Sequence, residues 1–145
     1  MPGFQIKALS EFAIHTGNME AMVEFYRDLL GLEPFATRAG GAIEFFRVGD
    51  GFDGLTAVIA LFDVGQDGPV VAGRRPGAAS SFHHIALAVT RAGQDAAAAW
   101  FESNGVETRI EEFAWVGWRG LFVKDPDGNT VELVARDPAL YTSDA

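Results

Sequence analysis

The feature that most limits the fold of this chain is an internal repeat. Glu11-Phe12-Ala13-Ile14-His15-Thr16 alternates, with Phe12 and Ile14 on one face and Glu11, Ala13 and His15 on the other. That is the pattern of a half-buried strand. Asn18 then stands in an N-cap position, and Met22, Phe25, Tyr26, Leu29 and Leu30 follow with helical spacing until Gly31 closes the turn. The same grammar returns later. His84-Ile85-Ala86-Leu87-Ala88-Val89 alternates, Asp95 and a run of alanines lead into Trp100 and Phe101, and Asn104-Gly105 ends the helix. The strands start at 11 and 84 and the closing glycines fall at 31 and 105, a nearly constant offset.

Each half continues with three extended segments. In the first they fall at 32–37, 42–48 and 55–62, separated by Gly40-Gly41 and by Gly49-Asp50-Gly51. In the second they fall at 107–113, 116–124 and 130–135, the last two joined by Asp125-Pro126-Asp127-Gly128, with Pro and Gly at the positions a tight turn favours. Both halves therefore read β-α-β-β-β, and the fold class is α+β. Module 1 covers about 9–62, a linker rich in Gly, Pro, Ala and Ser covers 63–81, module 2 covers about 82–135, and a short tail covers 136–145. A half of this size with a single helix buries too little to stand alone, so the two are expected to make one domain through their sheets. The tail is expected to cover an edge or a neighbouring subunit.

Composition narrows the function. Hydrophobic residues are 48% of the 145 and charged residues 21%, enough for a real core. Eleven basic against twenty acidic side chains leave a net charge of -9, and the only adjacent basic pair is Arg74-Arg75, so no cationic stripe exists for phosphates. Nucleic acid and anionic membrane are excluded as expected partners. No apolar run approaches the roughly 20 residues of a membrane span, and the first residues lack the layout of a signal peptide. With no cysteine, disulfides, thiolate metal sites and cysteine nucleophiles are all excluded. The expectation is a soluble cytoplasmic protein.

The segments Asn18-Met19-Glu20-Ala21-Met22-Val23-Glu24-Phe25-Tyr26-Arg27-Asp28-Leu29-Leu30-Gly31-Leu32, His83-His84-Ile85-Ala86-Leu87 and Gly120-Leu121-Phe122-Val123-Lys124-Asp125-Pro126-Asp127-Gly128-Asn129-Thr130-Val131-Glu132-Leu133 resemble the vicinal oxygen chelate superfamily. That superfamily includes glyoxalase I, bleomycin-resistance proteins, fosfomycin-resistance enzymes, methylmalonyl-CoA epimerase and the extradiol dioxygenases. The resemblance implies two tandem βαβββ modules whose mixed sheets curl into a cup around one divalent metal ion (Zn, Ni, Co, Mn, Fe or Mg). The family's ligand position on the second module's first strand matches His84, and that on its last strand matches Glu132. The position on the first module's opening strand falls on Glu11, where His or Gln is commoner. The position on that module's fourth strand falls on Ala60, which cannot ligate.

Strand geometry speaks to the same residues. His84 faces away from Ile85 and Leu87, and Glu132 away from Val131 and Leu133. A His and a Glu meeting on a partly dry sheet face satisfy each other either as metal ligands or as an ion pair. Glu11 is the expected third ligand or, released, the general base; Glu11 and Glu132 are the expected catalytic carboxylates. His15 shares the face of Glu11 but lies about 13 Å further along the strand, so both cannot hold one ion. If His15 replaced Glu11, the ligand set would become the two-His, one-carboxylate triad of Fe(II) oxygenases; register favours Glu11. His15, Arg47, Arg119 and Trp118 are the candidate substrate contacts, the arginines as bidentate grips for a carboxylate or phosphate. His83 is expected on the face opposite His84. Phe45, Phe46, Phe62 and Trp115 lie near the same strands, and alternation leaves open which of them look inward.

The implied activity is lyase or isomerase chemistry of the glyoxalase type on a small oxygen-rich substrate, through a metal-stabilised enolate or oxyanion. The alternative is a metal-free ligand-sequestering protein of the bleomycin-resistance type, with extradiol dioxygenase chemistry behind both. Sheet edges that need cover point to a homodimer.

Overall fold

A computed structural model describes residue 3 and residues 5–64 and 82–143. The chain divides into two compact units, Met1–Ala78 and Ala79–Ala145. The linker expected over 63–81 lies outside the described residues except for Asp63, which ends a strand, and Val64.

In the first unit, β1 (Glu11–Thr16) leads into α1 (Met19–Val23), which widens into a π-helical stretch, Glu24–Leu29. Gly31 then adopts a left-handed φ of 74°, the conformation expected of a residue that closes a helix. β2 (Glu33–Arg38), β3 (Ile43–Phe52) and β4 (Leu55–Asp63) follow. The sheet order is β1-β4-β3-β2, with β1 parallel to β4 and the other pairs antiparallel. Alternation puts Ile14, Phe46, Ile59 and Leu61 on one sheet face, where they are buried with Met22, Phe25 and Tyr26 of the helical segment.

The second unit repeats the order: β5 (His84–Ala88), α2 (Arg91–Ser103), β6 (Arg109–Phe113), β7 (Trp118–Lys124) and β8 (Thr130–Arg136). Its sheet reads β5-β8-β7-β6, again with one parallel pair. The core holds Ile85, Phe101, Leu121, Val123, Val131 and Leu133. The expected α+β class with two βαβββ repeats is thus what the chain forms.

Several local expectations are corrected. Gly49-Asp50-Gly51 does not separate two strands: β3 runs through it with two shifts of register. The reversal comes at Asp53-Gly54, whose φ values of 53° and 77° give the twist a two-residue hairpin requires. At Gly51 a β-carbon would collide with the carbonyl oxygen of Leu55, so only glycine fits the bulge. The Asn18 side chain makes no cap hydrogen bond; instead the Asn18 N–H donates to Thr16 Oγ1 at 2.9 Å. α2 begins at Arg91, before Asp95, because Thr90 Oγ1 caps it by accepting from Gly93 N–H at 2.9 Å. β7 starts at Trp118 rather than 116, since the Val116 and Gly117 N–H groups turn back onto the Phe113 carbonyl.

The Asp125–Gly128 turn forms as its residues suggest, with Gly128 N–H donating to the Asp125 carbonyl at 2.9 Å. The buried Asp125 carboxylate also accepts from the N–H groups of Asp127 (3.0 Å) and Asn129 (2.8 Å) and from the Asn129 amide (2.8 Å). The tail folds over its own unit: Asp137 N–H donates to the Gly117 carbonyl and Thr142 N–H to that of Ala114.

Candidate functional site

The second unit's sheet has one face under α2 and one face away from it. Ile85, Leu121, Val123, Val131 and Leu133 take the helix side, so His84, Ala86, Phe122, Gly120, Trp118, Thr130 and Glu132 share the other. Glu132 is paired in register with Ala86 on β5, and His84 with Thr130. The small side chain of Ala86 leaves the diagonal open. Across it His84 Nε2 lies 3.1 Å from Glu132 Oε1. The Glu132 side chain is 7% exposed and that of His84 34%, so a nearly dry carboxylate meets a ring whose rim reaches solvent.

The carboxylate is held from behind. A β-carbon on Gly120 would stand 2.5 Å from Glu132 Oε2 and 2.7 Å from the edge of the Phe122 ring. Glycine at 120 is therefore what gives the carboxylate its space. Phe122, the cross-strand neighbour of Glu132, has its ring 6.1 Å from that of His84. Outside it the Arg109 guanidinium lies 4.6 Å over the Phe122 ring, and Arg109 also pairs with Glu111. Lys124 Nζ donates to Thr130 Oγ1 at 2.6 Å.

His83 does not point away from His84 as alternation suggested. β5 begins only at His84, so His83 precedes the pleat, and its Nδ1 lies 2.7 Å from His84 Nδ1 with the rings 5.0 Å apart.

The other expected site residues divide by face. Trp118 lies on the face of Glu132, four positions along β7, and is 47% exposed. Arg119 is committed to the helix side: its guanidinium donates to Gln94 Oε1 at 2.7 Å and lies 3.7 Å from Asp95. Arg119, a candidate substrate contact from the sequence, is thus on the sheet face opposite Glu132, in phase with Leu121 and Val123. Trp115 sits exposed in the β6–β7 turn.

In the first unit, Glu11 is exposed at the start of β1, in register with Val58, which is paired in turn with Arg47. Arg47 forms an ion pair with Asp50. Ala60 lies between Ala13 and Phe45, and His15 beside Phe62. Phe45 and Phe62 stand edge to face at 6.3 Å, whereas Phe46 is buried beneath the helix. His15 Nε2 is buried with no hydrogen-bond partner among the described residues.

Among the described residues, no group of three or more His, Cys, Asp or Glu side chains comes together as a metal cage. The structure does join His84 and Glu132, one imidazole nitrogen and one carboxylate, a donor set that suits a borderline divalent ion. Sequence reasoning missed three supporting residues. Gly120 is a mid-strand glycine whose role is spatial, His83 lies just outside the strand, and Gln94 is a buried amide that donates to the carbonyls of Arg119 and Leu133, both at 2.7 Å.

Residues 8–133 match the profile of the Glyoxalase/Bleomycin resistance protein/Dioxygenase superfamily, and the chain belongs to that family. No curated protein matches the chain significantly. Solved structures share its fold. A lactoylglutathione lyase from Agrobacterium tumefaciens is 24% identical over 90% of this chain and 94% of its own, with a TM-score of 0.69. A glyoxalase/dioxygenase from Nostoc punctiforme is 22% identical over 95% of each chain, with a TM-score of 0.70. A fosfomycin resistance protein from Listeria monocytogenes is 17% identical over 95% of this chain and 100% of its own, with a TM-score of 0.64. Identities this low establish the fold and leave the reaction to the site.

Proposed function

We propose that the chain is a metal-dependent enzyme of the vicinal oxygen chelate type, with lyase or isomerase chemistry on a small oxygen-rich substrate. The observation that carries this reading is the convergence of His84 Nε2 and Glu132 Oε1 on a sheet face, with the carboxylate nearly dry and its second oxygen seated over Gly120. Burying a carboxylate is costly without a cation or a full set of donors, and one imidazole only partly meets that need. His84 and Glu132 would hold a divalent ion through one nitrogen and one oxygen. When bound, the ion would polarise neighbouring substrate oxygens and offset the negative charge that develops on them. Phe122 walls the pair on one side and limits water there. Glu11 is proposed as a further ligand or as the general base, and Trp118, His15 and Arg47 as substrate contacts, on the family resemblance.

A second reading, a ligand-sequestering protein of the bleomycin-resistance type, is favoured by one observation: Ala60 stands where some relatives place a ligating side chain. Elemental analysis of protein purified without added metal or affinity-tag nickel separates the two. About one divalent ion per chain, lost in His84→Ala and in Glu132→Ala, supports the enzyme. No ion, and none gained on reconstitution, supports sequestration. We further propose a homodimer, because each four-stranded sheet ends in strands with an unpaired edge among the described residues, β1 and β2 in one and β5 and β6 in the other. A monomer in sedimentation at micromolar concentration overturns that assembly.

A further inference from the structure

We propose that His83 is a positioning residue for His84: its Nδ1 aims the neighbouring imidazole at Glu132 and keeps it aimed whether or not His84 Nε2 carries a proton. The inference rests on the reading of His84 and Glu132 as a donor pair.

The argument is a count of protons. Two ring nitrogens 2.7 Å apart need one proton between them. The Glu132 carboxylate only accepts, so the His84 Nε2 that faces it at 3.1 Å must donate. A neutral imidazole with its proton on Nε2 has a bare Nδ1. The proton between the two rings therefore belongs to His83, which is fixed as the Nδ1–H tautomer, the form that free histidine disfavours. Donors thus run in one direction, from His83 to His84 to Glu132.

Histidine is suited to this place for a reason a carbonyl or a carboxylate could not match: it can reverse. If His84 releases its Nε2 proton to solvent to make room for a cation, the proton shared between the rings shifts from His83 Nδ1 to His84 Nδ1, which then donates it back. His83 accepts at Nδ1 and takes a proton from solvent at Nε2. Each ring holds one proton before and after, so the hydrogen bond that orients His84 survives the exchange. The His84 side chain is a third exposed, and among the described residues its ring meets Phe122 at 6.1 Å and Glu132 through Nε2, which leaves His83 as the partner that fixes Nδ1.

The test is nitrogen-15 NMR on the metal-free full-length protein at a pH where both rings are neutral, followed by titration with Zn(II). Wild type is expected to show His83 as the Nδ1–H tautomer and a nitrogen–nitrogen coupling across the bond to His84 Nδ1. In His83→Phe the His84 ring signals shift and zinc binds about 10–100-fold more weakly. In His83→Asn, whose amide can donate or accept, affinity returns to within about threefold of wild type by the same logic. His83 found as the Nε2–H tautomer without coupling, or His84 signals unmoved by His83→Phe, overturns the proposal. If the coupling is present but wild type binds no zinc, the metal-dependent reading fails while the positioning role stands.

Discussion

Gly120 is the floor on which the carboxylate of Glu132 rests: a single methyl there would come 2.5 Å from Oε2. The effect is steric, because the backbone at 120 lies outside the left-handed region. Gly120→Ala is expected to push the carboxylate off its line to His84 and the Phe122 ring with it. Overpacking of this kind costs about 1–3 kcal/mol, read as a lower urea midpoint with unchanged far-ultraviolet circular dichroism. Zinc affinity should fall in parallel. An alanine variant that binds zinc like wild type would show that Glu132 does not need this floor.

Gln94 ties α2 to two strands at once. Its amide donates to the carbonyls of Arg119 and Leu133, and its oxygen accepts from the Arg119 guanidinium. Gln94→Leu keeps the volume and removes all three bonds, stranding buried groups at about 1–3 kcal/mol each, so roughly 2 kcal/mol or more of folding free energy should be lost. Chemical denaturation of the two proteins side by side measures it.

Asp125 gathers three hydrogen bonds inside the turn between β7 and β8, the turn that sets where Glu132 begins its strand. Asp125→Ala is expected to cost about 1–3 kcal/mol, and Asp125→Asn clearly less because one oxygen remains to accept the two backbone N–H groups. Equal losses in the two variants would assign the effect to charge instead.

Acid should weaken the Arg91–Asp95 ion pair within α2. Arg91 donates to Asp95 at 2.6 Å and to Asp137 at 3.1 Å, and the hydrogen bond from Arg91 holds the Asp95 carboxyl below its ordinary value of 3.8. A carboxylate depressed on folding stabilises the native state above its unfolded pKa and loses that contribution as pH falls through the folded one. Arg91→Gln should therefore be less stable than wild type near neutrality, and the gap should close from about pH 5 downward. Both groups are exposed, so the gap is small and shrinks in salt. A gap that widens on acidification contradicts this account.

How much of this the sequence carried depends on whether a signal was periodic. The two βαβββ repeats, the strands bearing His84 and Glu132 and the Asp125–Gly128 turn follow from alternation and turn chemistry, which act locally. The hairpin at Asp53-Gly54 was obscured because Gly49-Asp50-Gly51 has the same turn-like residues, and only the pairing of Phe52 with Leu55 decides between them. The start of α2 was missed because its cap, Thr90, is followed by residues of mixed character rather than by an acidic first turn. Gly120 and His83 act through space on side chains that alternation alone does not bring near them, so no one-dimensional pattern announced them.

The repeat ends in an asymmetry with a practical side. Ala60 is framed by Ala13 and Phe45 as Glu132 is framed by Ala86 and Phe122, so the two sheets offer the same three-residue frame, one with a carboxylate at its centre and one without. The blank frame invites redesign. Exchanging Ala60 for a carboxylate or an imidazole would write a second donor into a scaffold that already shows, in its other copy, how such a group is housed. The neighbours to adjust first are also named there, because the copy that bears Glu132 keeps a glycine two positions before its phenylalanine while the other has Ile43 before Phe45. The second half of the chain thus serves as a template for altering the first.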